Sequence, residues 1–152
     1  MAVRFRFIRE KLELTQQQVA DRIGVSKTNY NYFENEERFI PLKHLMKYCE
    51  CFDVSIDYIF ELTDTIITSK RKVVLDKKII GERIKSIRKM KKLTQCELAE
   101  LLNTSQSTIS SYENGETLII TAFLYELCKR LDISMDYVTT RSNVIKVVTE
   151  KE

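Results

Sequence analysis

The sequence LTQCELAELLNTSQSTISSYENGE, residues 93–116, carries the strongest structural pattern in the chain. A related stretch, LTQQQVADRIGVSKTNYNYFENEE at residues 14–37, aligns with it without a gap at a separation of 79 residues. The alignment continues from LMKYCECFDVSIDYI at 45–59 to LYELCKRLDISMDYV at 124–138. Self-similarity at one fixed separation indicates a duplicated unit, here of about 60 residues, with a linker and a tail.

Both copies contain the sequence signals of short helices joined by tight turns. A hydroxyl at Thr15 or Thr94 can cap a helix, and Gln18 and Glu97 follow at the spacing of a capping box. Further signals are residues that tolerate a left-handed turn, serines that cap helices and a proline in a loop: Gly24, Asn103, Ser26, Ser105, Ser55, Ser134 and Pro41. Because every connection is short, we predict an all-α chain of two tandem five-helix domains.

Apolar residues at helical spacing are predicted to form the core of each domain. Phe5, Ile8 and Leu12 share one face of the first helix. Ala20 and Ala99 supply the small side chain that is needed where the second and third helices cross closely.

The repeat also divides the chain into parts. Runs of β-branched residues at 65–75 and 143–151 start at equivalent places after the two copies. They are predicted either to form short β-strands that pair or to remain a flexible linker and a frayed tail. The predicted parts are a first domain at 1–62, a basic linker at 63–76, a second domain at 77–141 and a C-terminal tail at 142–152.

The composition argues against several classes of protein. The 152 residues include only 3 Gly and 1 Pro, too few for the many turns of a β-sandwich or barrel. No apolar run approaches the ~20 residues of a membrane span and no secretory signal is evident, so a cytoplasmic protein with reduced cysteines is expected. His44 is the single histidine and the four cysteines lack the spacing of a zinc site, so no metal is expected. The helical unit takes up both copies in full, so no cofactor or small-molecule ligand is expected either. Because no nucleophile pair, phosphate loop or paired carboxylates stand out, we do not expect an enzyme.

A helix, a tight turn of about four residues and a second helix form a helix-turn-helix layout. In its particular residues the chain resembles the phage repressor and Cro family, also called XRE-type. The first copy departs from the family pattern at Tyr30, Asn31 and Glu36. The second copy matches it nearly throughout, at Leu93, Thr94, Gln95, Glu97, Leu98, Ala99, Ser105, Ile109, Ser110, Tyr112, Glu113 and Gly115. The resemblance implies two λ-repressor-like domains whose partner is double-stranded DNA.

The third helix of each copy would then enter the major groove, with its N-terminal residues at the base edges. A Gln or Asn amide can pair with adenine, Lys can reach guanine, and Ser can donate or accept. The alternative is that these are ordinary exposed polar residues of a helix. The implied base-reading residues are Gln106, Ser107, Ser110 and Ser111 in the second copy, and Lys27, Thr28, Asn31 and Tyr32 in the first. Because the two sets differ, the two copies would recognise different DNA sequences.

Other residues are expected at the DNA backbone. Gln16 and Gln95 begin the second helices, where a side chain and free amides can hold a phosphate, although both would equally serve as a plain helix start. Basic residues of the linker and of the second copy add positive charge that attracts phosphate: Lys70, Arg71, Lys72, Lys91 and Lys92.

A structural ion pair is implied by the resemblance in each copy. In the family, an arginine of the first helix pairs with a glutamate that closes the third helix. The matching residues here are Arg9 with Glu34 and Arg88 with Glu113. Loss of DNA binding in variants of these residues would mean unfolding and not a lost DNA contact.

The two copies differ in charge. Residues 63–80 hold five Lys or Arg and two Asp or Glu, and the second copy adds Arg83, Lys85 and Lys89 along its first helix. The first copy has Glu36 and Glu37 after its third helix, and carboxylates there repel phosphate. The second copy is therefore the better electrostatic fit to DNA.

These patterns predict a sequence-specific transcriptional regulator, a repressor before an activator, that occupies operator DNA in the nucleoid. The 14-residue linker can extend to ~46 Å at ~3.3 Å per residue, more than the ~34 Å between successive major grooves on one face. One chain could thus present both third helices, and a homodimer is the other arrangement considered. The alternative function is a protein-interaction or antitoxin-like module in which one copy holds a partner or mediates dimerisation.

Overall fold

The computed structural model describes residues 3–66 and 72–147. Within them the chain forms ten α-helices in two compact units, with the boundary between Lys72 and Val73. None of these ten helices is both long and apolar enough to cross a membrane. The prediction of an all-α chain with five helices in each copy is confirmed.

The helices follow one another in the same order in the two units. The first unit contains α1 (Phe5–Lys11), α2 (Gln16–Ile23), α3 (Lys27–Glu34), α4 (Leu42–Phe52) and α5 (Ile56–Ile59). The second unit contains α6 (Lys77–Met90), α7 (Gln95–Leu101), α8 (Gln106–Glu113), α9 (Thr121–Leu131) and α10 (Met135–Val138).

Polar caps fix the helix starts as the sequence predicts. The hydroxyl of Thr15 accepts a hydrogen bond from the Gln18 amide at 3.1 Å, and the Gln18 side chain accepts one from the Thr15 amide at 2.8 Å. Thr94 and Glu97 form the same capping box, with distances of 3.1 and 2.7 Å. Four serines each accept from the amide three residues later: Ser26, Ser55, Ser105 and Ser134. Each cap satisfies an amide that has no partner inside its helix.

Left-handed turns recur at equivalent positions of the two units. Positive φ angles occur in pairs separated by 79 residues: Glu13 and Lys92, Gly24 and Asn103, Glu36 and Gly115, Asp53 and Asp132, Glu61 and Thr140. The turns keep their backbone shape even where the residue types differ, so the duplication is one of backbone conformation as well as of sequence.

The first unit has an aromatic core. Phe5, Tyr30 and Tyr48 are each no more than 1% exposed, and the rings of Phe5 and Tyr48 meet edge to face with centroids 4.9 Å apart. Such edge contacts add to the stabilisation from apolar burial. The second unit has buried aliphatic side chains at the three equivalent positions: Ile84, Ile109 and Leu127.

The prediction that Leu12 belongs to the core is wrong. The side chain is 48% exposed, whereas Phe5 and Ile8 are buried. α1 ends at Lys11 and Leu12 is its C-cap, so the chain leaves the helical path before this side chain can follow Ile8 onto the buried face.

Of the two alternatives for the β-branched runs, strands do not occur in the described parts, residues 65–66, 72–75 and 143–147. The remainder of each run lies outside the described residues. The carbonyl of Ile145 accepts a hydrogen bond from the amide of Ser134 at 2.8 Å, which is one bond to a helix cap and not a ladder. A strand forms a ladder of hydrogen bonds with a neighbouring extended segment. The helices beside these runs cannot supply such a ladder, because only the amides of their first turn lack a partner inside the helix.

Candidate nucleic-acid interface

The second and third helices of each unit pack together as a helix-turn-helix pair. α2 packs against α3 and α7 against α8, and the alanine of each second helix is buried, Ala20 fully and Ala99 to 3% exposure. Both alanines are buried as the sequence predicts. A capped turn precedes each third helix, at Ser26 and at Ser105.

The predicted base-reading residues lie at the accessible start of each third helix. In the second unit Gln106 and Ser107 are exposed, and Ser110 and Ser111 are half-buried. The first unit repeats this pattern, with Lys27 and Thr28 exposed and with Asn31 and Tyr32 half-buried. Residues three or four apart on a helix share a face, so these side chains form a polar strip on the third helix of each unit.

A buried ion pair joins the first helix to the end of the third in each unit. Arg9 donates from Nε to Glu34 Oε1 at 2.5 Å and from Nη2 to Oε2 at 3.2 Å. Arg88 donates to Glu113 in the same two-pronged way, at 2.5 and 3.1 Å. The side chains of both glutamates are 0% exposed. Two parallel bonds to a buried carboxylate fix geometry as well as charge.

Each arginine of these pairs also holds the loop that leads into the second helix. Arg9 Nη1 donates to the carbonyl of Leu14 at 3.0 Å, and Arg88 Nη1 donates to the carbonyl of Leu93 at 2.8 Å. One guanidinium therefore fixes the ends of three elements: the first helix, the loop before the second helix and the end of the third.

The environment of the two glutamates keeps them ionised. Desolvation by burial, the largest influence, raises the pKa of Glu34 and of Glu113. Hydrogen bonds from Arg9 and Gln16 to Glu34, and from Arg88 and Gln95 to Glu113, outweigh it, so both pKa values lie below the ordinary value of 4.5. The pKa of each arginine is raised, first by its hydrogen bond to the glutamate.

The glutamines that begin the second helices point toward these buried glutamates. Gln95 Nε2 donates to Glu113 Oε2 at 2.9 Å, and Gln95 Oε1 accepts from Gln106 Nε2 at 3.4 Å. Gln16 Nε2 donates to Glu34 Oε2 at 2.9 Å and to Asn31 Oδ1 at 3.0 Å. Both amide hydrogens of Gln16 are thus used inside the unit, which leaves its backbone amide, and not its side-chain amide, to meet a phosphate.

The basic residues expected at the DNA backbone are placed as follows. Lys91 and Lys92 are exposed directly after α6, where the first unit has Leu12 and Glu13. Lys72 is exposed as well. Lys70 and Arg71 lie outside the described residues. The corner before the second helix is therefore basic in the second unit and acidic in the first.

Arg83 belongs to the framework of the second unit and not to a DNA-facing charge array. Its Nη1 donates to the carbonyls of Tyr137 and Ser142, and its guanidinium lies 4.4 Å from the centroid of the Tyr137 ring. Arg4 makes the same contacts with the carbonyls of Tyr58 and Thr63. Both copies carry the same arginine and the same tyrosine at equivalent positions, and this repetition is the sequence signal for the role. Charge and helical spacing alone do not reveal it.

A further basic residue was not anticipated from the sequence. The guanidinium of Arg38, after α3, lies 4.4 Å from the centroid of the Tyr32 ring. Arg38 is exposed, and Tyr32 is one of the predicted base-reading residues. A stacked, exposed guanidinium beside the third helix is suited to a phosphate. The second unit has Thr117 at the equivalent position.

Comparison with known proteins assigns both halves of the chain. A family profile described as helix-turn-helix matches residues 84–138, and another described as a helix-turn-helix domain matches residues 3–65. The two halves of the chain thus match two different helix-turn-helix families. The prediction of a tandem helix-turn-helix protein of the phage-repressor type is confirmed.

Three relatives resemble parts of this chain. The uncharacterized HTH-type transcriptional regulator YobD of Bacillus subtilis (strain 168) is 41% identical over 61 residues, 40% of this chain and 54% of the relative. Antitoxin PezA of Streptococcus pneumoniae serotype 4 is 31% identical over 74 residues, 49% of this chain and 47% of the relative. The cryptic phage CTXphi transcriptional repressor RstR of Vibrio cholerae serotype O1 is 37% identical over 49 residues, 32% of this chain and 44% of the relative. The chain thus spans about half the length of the curated relatives it matches.

Proposed function

We propose that this helix-turn-helix protein is a sequence-specific transcriptional regulator, a repressor, that occupies operator DNA in the nucleoid. The observation that carries the proposal is the polar strip on each third helix, which is exposed at its first residues. A buried Arg–Glu pair holds the other end of the same helix. That arrangement suits insertion into a major groove, because the base-facing side chains sit on a rigid element. Similarity to a named regulator and to a named phage repressor supports the same function.

The second unit is the principal DNA-binding unit of this proposal. Lys91 and Lys92 stand at the corner before α7, and Gln95 has one amide hydrogen that is not donated to Glu113. These groups would contact the phosphates while Gln106 and its neighbours on α8 contact the bases. Each neutralised phosphate releases counterions, so this corner would contribute affinity that depends on salt.

The first unit would contribute a second, weaker contact. Arg38 and Lys27 offer positive charge at α3, but exposed carboxylates precede α2, at Glu13, and follow α3, at Glu36 and Glu37. Tethering by the linker would still raise the effective concentration of the first unit at the DNA to roughly mM, which multiplies affinity without any new contact. One chain, or two chains as a homodimer, would then cover an operator.

Binding to mixed genomic DNA over a range of salt concentrations tests the proposal. Affinity should fall steeply as salt rises, and Gln106→Ala should lower specific binding by ~1–3 kcal/mol and relax one base position. Gln17→Ala is the matched control, since this exposed glutamine bonds only to Asp21, at 2.7 Å, among the described residues. No retention on DNA at low salt would reject the function.

The antitoxin-like alternative has two observations in its favour. Antitoxin PezA is a relative of this chain, and the acidic rim of the first unit around Glu36 and Glu37 is unsuited to DNA. In that case the first unit would hold a protein partner or a second chain. Light scattering of the chain with and without a selected operator separates the two functions: self-association without DNA binding supports the alternative.

A further inference from the structure

The two buried glutamates begin hydrogen-bond chains that end at different places in the two units. In the second unit Glu113 accepts from Gln95, whose carbonyl oxygen accepts from Gln106 at the start of α8. In the first unit Glu34 accepts from Gln16, which also donates to Asn31. Asn31 lies four residues after Lys27, the first residue of α3. The residue equivalent to Gln106 is Lys27, and it lies outside this chain of bonds.

The chain in the first unit is the tighter of the two. Gln16 Nε2 and Asn31 Oδ1 are 3.0 Å apart, within the usual range of an amide hydrogen bond, whereas Gln106 Nε2 and Gln95 Oε1 are 3.4 Å apart. Asn31 is half-buried and Gln106 is exposed. Asn31 therefore has less rotational freedom to lose on contacting a base, and a side chain that is already oriented binds at lower entropic cost.

The polarity of the chain also fixes which atoms Asn31 offers. The carboxylate of Glu34 can only accept, so the amide nitrogen of Gln16 must face it. That same nitrogen donates to Oδ1 of Asn31, which turns Nδ2 of Asn31 away from Gln16. Asn31 is left with two donors on Nδ2 and one remaining lone pair on Oδ1. Adenine presents the complementary pair in the major groove, the N7 acceptor and the N6 donor.

On the basis of the function proposed above, we propose that Asn31 is the specificity-determining residue of the first unit and that Gln16 is its positioning residue. Lys27 then serves as a phosphate or general electrostatic contact. Positions 27 and 31 are one helical turn apart, ~6 Å along the axis. The first unit would therefore read a base with a residue one turn further along its third helix than the second unit does.

Selection of bound DNA from random oligonucleotides, with the full chain and its single variants, tests this assignment. Asn31→Ala should flatten the preference at one base position and weaken binding to the preferred sequence by about tenfold. Asn31→Ser is the matched variant that preserves folding, because the second unit carries Ser110 at this position, and it should flatten the same position. Lys27→Ala should weaken binding evenly over all sequences and lower the dependence on salt.

To test the positioning role of Gln16, the measurement must be one that stays unchanged if Gln16 only stabilises the fold. Gln16→Ala should flatten the same base position as Asn31→Ala, and the double variant should flatten no further position. Thermal melting of each variant reports folding separately from base preference. Gln95→Ala is the matched change in the second unit and should leave that position unaffected.

The outcomes separate the two proposals. If the unaltered chain selects no sequence, the proposed function fails and this assignment fails with it. If the chain selects a sequence and Asn31→Ala leaves the preference profile unchanged, only this assignment is overturned. The same holds if Asn31→Ala weakens all sequences evenly, or if Lys27→Ala is the change that flattens a position.

Discussion

Gly81 of α6 packs directly against the backbone carbonyl of Tyr112, so that a Cβ at position 81 would overlap that oxygen. The same Cβ would lie 2.9 Å from the carbonyl oxygen of Glu113. The absence of a side chain at position 81 thus lets α6 lie against the last turn of α8, the turn that carries the partner of Arg88.

Gly81→Ala should destabilise the second unit by about 1–3 kcal/mol, because the two backbones must move apart to admit a methyl group. This sign is opposite to the usual one, since replacing a glycine inside a helix with alanine ordinarily stabilises by ~0.5–1 kcal/mol. Differential scanning calorimetry of the full chain measures the change. Ser86→Ala, at an exposed position of the same helix, is the control and should stay within about 0.5 kcal/mol. A more stable Gly81→Ala would mean that α6 does not approach α8 this closely.

Glu113→Gln or Arg88→Met alone should each cost about 3–5 kcal/mol, because the remaining partner is left buried without its counter-charge. The double variant Arg88→Met, Glu113→Leu should recover much of that loss, since apolar groups do not need to be paired. Urea unfolding gives the free energies. The explanation by an unpaired buried charge is rejected if the double variant is no more stable than either single one.

Acid should weaken both units through their buried glutamates. The pKa values of Glu34 and Glu113 are held below 4.5, so the folded chain binds fewer protons than the unfolded chain as the pH falls past that value. Their contribution to the free energy of unfolding is fully present above pH 4.5 and is lost as the pH falls through the folded pKa values. Urea unfolding at a series of acidic pH values measures this slope. Glu113→Gln should have a shallower slope than the unaltered chain, and an equal slope would contradict the assignment to this residue.

Exchanging the basic corner of the second unit should reduce DNA binding. Lys91→Leu with Lys92→Glu installs the residues of the first unit, Leu12 and Glu13, at the equivalent positions. Two phosphate contacts would be lost, so the slope of log affinity against log salt should decrease by about 2. Lys129→Glu, on α9, is the control for a charge change outside the helix-turn-helix pair and should alter the slope less. The double change lowers the net charge by three and the control lowers it by two, so effects in that proportion would indicate that only net charge matters.

Substitution at the left-handed turn after the third helix should be more harmful in the second unit than in the first. Glu36 has a φ of 61°, and Gly115 has a φ of 69° at the equivalent position. Gly115→Glu should destabilise the second unit by more than about 1 kcal/mol. A residue with a side chain is strained in the left-handed conformation, and its Cβ would lie 2.8 Å from Cα of Lys78. Glu36→Gly should change stability by no more than about 1 kcal/mol, because strain relief offsets the added freedom of the unfolded chain. Thermal melting of the two variants checks this contrast, which fails if Glu36→Gly is the more harmful change.

Local chemistry made much of the fold predictable from the sequence. A threonine cap with a glutamine or glutamate three residues later determines a helix start within one turn, so Thr15 and Thr94 could be assigned without any tertiary information. Repetition supplied the rest of the architecture, since two copies of one pattern are far less ambiguous than one. The end of α1 was less certain, and Leu12 was misplaced because periodicity does not mark where a helix stops.

The contacts that arise only on packing could not be predicted in the same way. Arg83 looked like one more positive charge on α6, but its role depends on carbonyls 54 and 59 residues away. Gly81 gives no sequence signal at all, because the reason for a glycine there is a carbonyl of another helix. The side chain of Gln16 turns inward for a similar reason, the buried charge of Glu34, which the sequence does not place.

The aromatic core of the first unit has a consequence for folding fidelity. Tandem copies of one fold can misassemble by exchanging equivalent helices, and the risk is greatest when the copies are interchangeable. Here Phe5 of α1 packs against Tyr30 and Tyr48, whereas the equivalent buried residues of the second unit are Ile84, Ile109 and Leu127. A helix docked into the wrong unit would leave a void or overfill the core, and either costs several kcal/mol. Divergence of the two cores therefore lets each segment of a repeated chain distinguish its own unit from its neighbour.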